Sequence, residues 1–277
     1  MTLAGGTVRR SPPRRYRALV IALFCGSPMA CTRLGFDSAR DGTATPPRDG
    51  ATDGLSADGA HDGPARWDGR EAGACTGPTT VVLAPVDDTR LDSSWPGHNY
   101  GRDGTLQIHF NSPMLFRFDP AGLPGDTAVD TATLELYSEL RLPEQNAPIW
   151  ITLYEVLTGN SLWREGSRRD QPGGAGDATW SFLDEGRRRP WAGAAGLFLP
   201  GIDYRLAGES DVSGFIQADT VYRWRLRPAL VESWRGSGAP NAGLILRTAT
   251  GFHFWFSAKE HAVAAQRPRL VLTLRCR

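Results

Sequence analysis

Past residue 80 the chain is written in short alternating runs. Residues 105–110 alternate, and residues 114–118 (MLFRF) form a brief apolar run closed by Asp119-Pro120. In residues 131–140 (TATLELYSEL), Leu134 and Leu136 fall on one side and Glu135 and Tyr137 on the other. Residues 148–157 (PIWITLYEVL), 243–248, 251–257 and 268–275 repeat the theme. A period of two, β-branched and aromatic residues, and Gly, Pro, Asn or Asp at the boundaries predict strands. Many such strands with no amphipathic helices between them predict an all-β protein, a jelly-roll β-sandwich. The best helix candidate is Pro228–Arg235 (PALVESWR), one or two turns long. Residues 165–208 are rich in Gly and Arg and read as long loops anchored by Trp180 and Trp191.

The first 74 residues carry a different pattern. Arg9, Arg10, Arg14, Arg15 and Arg17 precede a short apolar stretch, residues 18–25 (ALVIALFC), and then small and helix-breaking residues. That order is the signature of a secretory signal peptide. Cys31 follows Ala30, as a lipidated cysteine would, although the leucine expected three positions before it is missing. Cysteines stand at 25, 31, 75 and 276. Cys25 leaves with the signal, and an odd remainder in an exported protein needs an explanation. Lipidation of Cys31 supplies one and leaves Cys75 and Cys276 to form a disulfide across the whole globular region, which an oxidising compartment permits. The rival reading is ordinary cleavage with a free Cys31. Closing so long a loop contributes ~4–5 kcal/mol in the chain-entropy model. Between them, residues 32–74 repeat Asp-Gly at 41, 49, 53, 58, 62 and 68 with few large apolar side chains. Such a segment buries too little surface to offset its chain entropy and reads as a disordered linker. The expected organisation is a signal peptide over 1–31, a linker over 32–74 and a sandwich over 75–277. The expected location is the cell envelope, as an outer-membrane or cell-surface lipoprotein, or otherwise the secreted fraction. Membrane contact is expected through the lipid alone, and the domain is expected to be a monomer.

Charge narrows the function. Lys and Arg number 31 against 30 Asp and Glu, a formal net charge of +1. That balance removes the electrostatic case for a nucleic-acid binder. Lys259 is the only lysine of the chain. No stretch reaches the ~20 apolar residues of a membrane-spanning helix. The histidines at 61, 98, 109, 253 and 261 form no paired ligand spacing, and no nucleophile elbow, phosphate loop or dinucleotide fingerprint occurs. A non-catalytic protein is expected.

Residues 88–108 (DTRLDSSWPGHNYGRDGTLQI) resemble the opening of the DNRLRE-type domains, jelly-roll modules similar to the carbohydrate-binding modules attached to alginate lyases. The resemblance continues through residues 115–119 (LFRFD), 132–137 (ATLELY), 241–244 (NAGL), 256–260 (FSAKE) and 267–270 (RPRL). It covers nearly all of 81–275, although the name-giving string is absent and the loops between Glu165 and Asp203 are longer than the family's. It implies a polysaccharide partner, with an acidic polymer among the options. The candidate ligand residues are Trp95, Tyr100, Arg102 and Trp191, which combine flat rings and a guanidinium in turn-rich segments. Trp150, Trp163, Trp180, Trp224 and Trp234 lie in patterned elements and are expected in the core, while Trp255 is undecided. Jelly-roll binding modules often carry a structural calcium, which takes six to eight oxygens. Asp88, Asp92 and Asp103 are the oxygen cluster that could supply it, with ordinary turn capping as the competing role. Arg117 is expected to pair with Glu260 or Glu135. The alternatives to glycan binding are a structural or adhesive surface protein that binds protein partners, and an enzyme with a site built from the 165–203 loops.

Overall fold

The computed structural model describes residues 75–139, 148–236 and 240–277. The expected signal peptide, Cys31 and the 32–74 linker lie outside the described residues. The strands are β1 (Thr79–Leu83), β2 (Pro85–Arg90), β3 (His98–Asn99), β4 (Thr105–Ile108), β5 (Met114–Phe118), β6 (Thr127–Ser138), β7 (Ile149–Glu155), β8 (Gln171–Pro172), β9 (Ser210–Gly214), β10 (Thr220–Leu226), β11 (Leu244–Thr248), β12 (Phe254–Ser257) and β13 (Arg269–Cys276). One helix, α1 (Pro228–Arg235), carries Pro228 in its first turn and buries Leu230, Val231 and Trp234. It ends where the sequence places it, because proline is tolerated at a helix start and Gly236 stops it.

The long strands form two antiparallel sheets. One runs β1-β13-β6-β12-β4, with β10 on the other edge of β6; the other runs β2-β5-β11-β7-β9. Taking β1, β5, β6, β7, β9, β10, β11 and β13 as strands one to eight, the sheets order as 1-8-3-6 and 2-7-4-5. That is the jelly-roll connectivity, two Greek keys shared between two sheets. Alternation does its expected work: Leu134 and Leu136 of β6 are buried between the sheets while Glu135 and Tyr137 face outward.

There are two apolar cores. The first fills the sandwich and includes Phe116, Phe118, Trp224, Phe254 and Phe256. The second lies on the outer side of the five-stranded sheet, where Leu91, Leu115 and Ile245 are covered by Trp163, Leu183, Trp191, Leu197 and Tyr204 from the long loops. This second layer explains why β5 is buried at all five positions. A strand covered on both faces reads as a continuous apolar run. Cys75 and Cys276 are disulfide-bonded with Cα atoms 5.4 Å apart, as the cysteine count implies, within the ~4.4–6.8 Å that the bond needs. The bond ties the entry of the domain to its last strand.

Candidate functional site

The outer face of the five-stranded sheet is left partly uncovered along β7. Along β7, Ile149, Ile151 and Leu153 point into the core, so Trp150, Thr152 and Tyr154 point away from it. The loop layer covers the neighbouring half of the sheet and reaches Tyr154, whose ring lies 4.9 Å from that of Tyr204, but leaves Trp150 exposed. What remains is a cleft of about 470 Å³ lined by Phe110, Trp150, Thr152, Tyr154, Phe198 and Arg247. Trp150 is 62% exposed. This corrects the expectation that it belongs to the core: its parity on the strand puts it with Thr152 and Tyr154, opposite the isoleucines. From Trp150 to Tyr154 the strand covers ~13 Å at ~3.3 Å per residue, long enough for more than one sugar ring.

Arg247 sets the electrostatics of the cleft. It sits opposite Thr152 in the register of β11 and β7. Its guanidinium lies 3.8 Å over the Phe198 ring and 5.2 Å from the Tyr204 ring, and donates to the Leu197 carbonyl at 2.9 Å. Among the described residues it has no ion-pair partner. Burial lowers its pKa, but a guanidinium keeps its proton in proteins. Asp203 acts on it only through longer-range attraction, so among the described residues the cleft holds a guanidinium with no carboxylate in ion-pair contact.

The four ligand candidates divide. Trp95 is 59% exposed and its ring lies 5.2 Å from that of His98. Arg102 is exposed too. Tyr100 and Trp191 are buried, so neither presents a platform. The Tyr100 ring is covered by the Arg90 guanidinium at 3.7 Å, and Trp191 belongs to the second core with its indole N–H on the Thr179 carbonyl. Both are turn residues in sequence, and both are covered because the loops fold back as a packed layer.

The motif around Tyr100 is structural. Asn99 donates to the Glu165 and Ala178 carbonyls, and its side-chain oxygen accepts from the amides of Gly101 and Arg168. A Cβ at Gly101 would stand 2.2 Å from the Glu165 carbonyl oxygen, so only glycine fits. Near the end of the chain, Gly243 has φ +82° and a Cβ there would meet the Phe116 carbonyl oxygen at 2.3 Å. Left-handed backbone and close approach both require glycine.

The three candidate calcium acids do not converge. Asp92 binds Arg90 and the Ser94 amide, Asp103 faces Arg169 at 3.9 Å, and Asp88 lies in a separate buried cluster. Among the described residues, no three His, Cys, Asp or Glu side chains are grouped to hold a metal ion. Arg117 pairs with Asp87 rather than Glu260 or Glu135. It also donates to the Ser161 and Trp163 carbonyls. It is on the outer face of β5, as alternation places it, but the loop layer brings the acid of the adjoining β2 closest.

The cluster around Lys259 is a feature that sequence reasoning did not find. Its ammonium contacts Glu165 at 2.5 Å and Glu260 at 2.9 Å, and its backbone amide donates to Asp88 at 2.7 Å. One oxygen of Asp88 and one of Glu260 are buried without a hydrogen-bond partner. Burial, then the Glu260 charge, raises the Asp88 pKa well above the ordinary carboxylate value; burial also raises that of Glu165. Groups whose pKa is raised by folding stabilise fully below their unfolded pKa, and that contribution is lost as pH rises through the folded value. Asp88→Asn keeps the shape and removes the ionisation. The variant should therefore melt higher than wild type at about pH 8 and lose that advantage near pH 4, measured by calorimetry. Equal melting temperatures across that range would contradict it.

Comparison with protein-family models and with curated proteins finds no match.

Proposed function

We propose that this domain is a non-catalytic polysaccharide-binding module of an exported, lipid-anchored surface protein. The observation that carries the reading is the aromatic cleft on the five-stranded sheet, with exposed Trp150 and with Arg247, which makes no ion pair among the described residues. Sugar rings carry apolar C–H faces that pack on indole and phenol rings. A guanidinium beside them suits a carboxylate or another anionic substituent. Binding sites of this kind are concave, mostly apolar and fixed by a few polar groups.

The placement of the cleft supports the same reading. Cys276 pairs with Thr127 at one end of β6, and Phe256 pairs with Ser138 at the other. Those ends are eleven residues apart, or ~36 Å at ~3.3 Å per residue. Phe110 follows β4, whose Ile108 pairs with Phe254 past the Ser138 end. The chain therefore enters at one pole, and the Phe110 side of the cleft opens at the other. The Phe110 side of the cleft is thus far from Cys75, where the tether joins.

The test is affinity electrophoresis of the folded domain against a panel of neutral and acidic polysaccharides. At least one should retard it, and Trp150→Ala should abolish most of the retardation at unchanged melting temperature. Retardation by none of the panel, or only by polymers that retard Trp150→Ala as strongly as wild type, would refute the reading.

A further inference from the structure

The loop layer turns its arginines outward and most of its acids inward; Asp170, 59% exposed beside His98, is the exception. Asp177 is buried and accepts from the Ser167 and Gly174 amides. Asp184 is buried and accepts from the Gly176 and Arg187 amides. The carboxylates are thereby used as loop braces. The side chains of Arg168, Arg169, Arg187 and Arg188 are 50%, 72%, 73% and 73% exposed. Their acids stand mostly at long range: Arg168 is 3.7 Å from Asp177, Arg169 is 3.9 Å from Asp103 and Arg188 is 3.9 Å from Glu185. Only Arg187 is close to its partner, 2.7 Å from Asp184. At such separations most guanidinium N–H donors stay free for another acceptor.

These arginines form one face. The Arg102 amide donates to the Arg168 carbonyl, and Arg169 donates back to the Arg102 carbonyl. Gly173 donates to the Gly97 carbonyl, the Glu185 amide to Asp177, and the Gly186 amide to Gly174. The strip from 95 to 102, the 168–177 loop and the 184–189 turn are thus stitched edge to edge. Trp95, at the start of that strip, is an exposed ring against His98. The formal charge of the whole chain hides this face, because Asp177 and Asp184 lie beneath it and Asp170 is its one exposed acid in the 168–177 loop.

We propose that this face is a second binding surface, for a polysaccharide densely substituted with tetrahedral oxyanion esters, sulfate or phosphate. The arginines occur as neighbours, 168 with 169 and 187 with 188. A carboxylate has two oxygens and is satisfied by a single guanidinium fork. A tetrahedral ester presents three outward oxygens and can bridge two guanidinia. The surface is independent of the aromatic cleft, shares no residue with it, and does not require the cleft to bind anything.

The experiment uses the full domain and four polymers: dextran sulfate, phosphorylated dextran, a polyuronate and double-stranded DNA. Affinity for at least one ester-bearing dextran should fall steeply with salt, since each neutralised charge adds ~0.7–0.9 to the slope of log affinity against log salt. The triple variant Arg168→Gln, Arg169→Gln, Arg188→Gln should melt as wild type does, bind at least tenfold more weakly, and lose ~2–3 from that slope. Trp150→Ala should bind the ester polymers as wild type does, which separates this surface from the cleft. Absence of low-salt binding to both esters, an unchanged slope in the triple variant, or stronger binding to the polyuronate or DNA would overturn the proposal.

Discussion

Replacing Trp163 by alanine should cost ~3–5 kcal/mol of stability, the range for a buried tryptophan truncated in a packed core. Trp163 is fully buried where the loop layer meets the sheet. Its indole N–H donates to the Ala242 carbonyl at 2.8 Å, and the Arg117 guanidinium lies 4.7 Å over its ring. Truncation empties that volume, strands a buried carbonyl and uncovers a buried cation together. The loop layer should loosen first, since its own core is small. Urea unfolding monitored by tryptophan fluorescence and by far-ultraviolet circular dichroism checks this. A loss below ~1 kcal/mol would mean that the loops do not depend on this core.

Loss of the Cys75–Cys276 bond should be the other large effect. The bond closes a loop spanning 201 positions, and in the chain-entropy model its removal costs up to ~5 kcal/mol. The native contacts around it are few: the Cys75 amide donates to Asp126 at 2.9 Å, and β1 pairs with β13 over five residues. The effect therefore falls mainly on the unfolded chain. Cys276→Ser should lower the melting temperature while leaving the spectrum of the folded domain unchanged. An equal melting temperature with and without reductant would show that the unfolded state is already compact.

The fold was legible because its signals are local. Leu134 and Leu136 against Glu135 and Tyr137 specify a half-buried strand, and Pro228 with an apolar stripe and Gly236 specifies α1. β10 escaped the reading although Tyr222, Trp224 and Leu226 alternate with Arg223 and Arg225, the same period of two that marks β6, so here the signal was present in the sequence and was passed over. Trp150 was misplaced by residue type. The alternation of residues 149–154 had already set it opposite Ile149 and Ile151, and parity outweighs the general preference of tryptophan for burial. Tyr100 and Trp191 erred in the other direction: sequence shows that they lie in turns, and only the second core shows that turns can be covered. The Lys259 cluster joins residues 94 and 171 positions apart, which no local pattern can reveal. Arg247 was likewise silent in sequence, since its setting over the Phe198 ring with no ion pair among the described residues is made by distant loops.

The central claim is that the sheet cleft, rather than the loop tryptophan, holds the glycan. Isothermal titration with the best-retained polysaccharide, in ~0.5 M salt to screen exposed arginines, compares Trp150→Ala with Trp95→Ala. Loss of one stacking ring should weaken binding about tenfold, or ~1.4 kcal/mol, for Trp150→Ala, with Trp95→Ala indistinguishable from wild type. Weakening by Trp95→Ala while Trp150→Ala binds as wild type does would contradict the account.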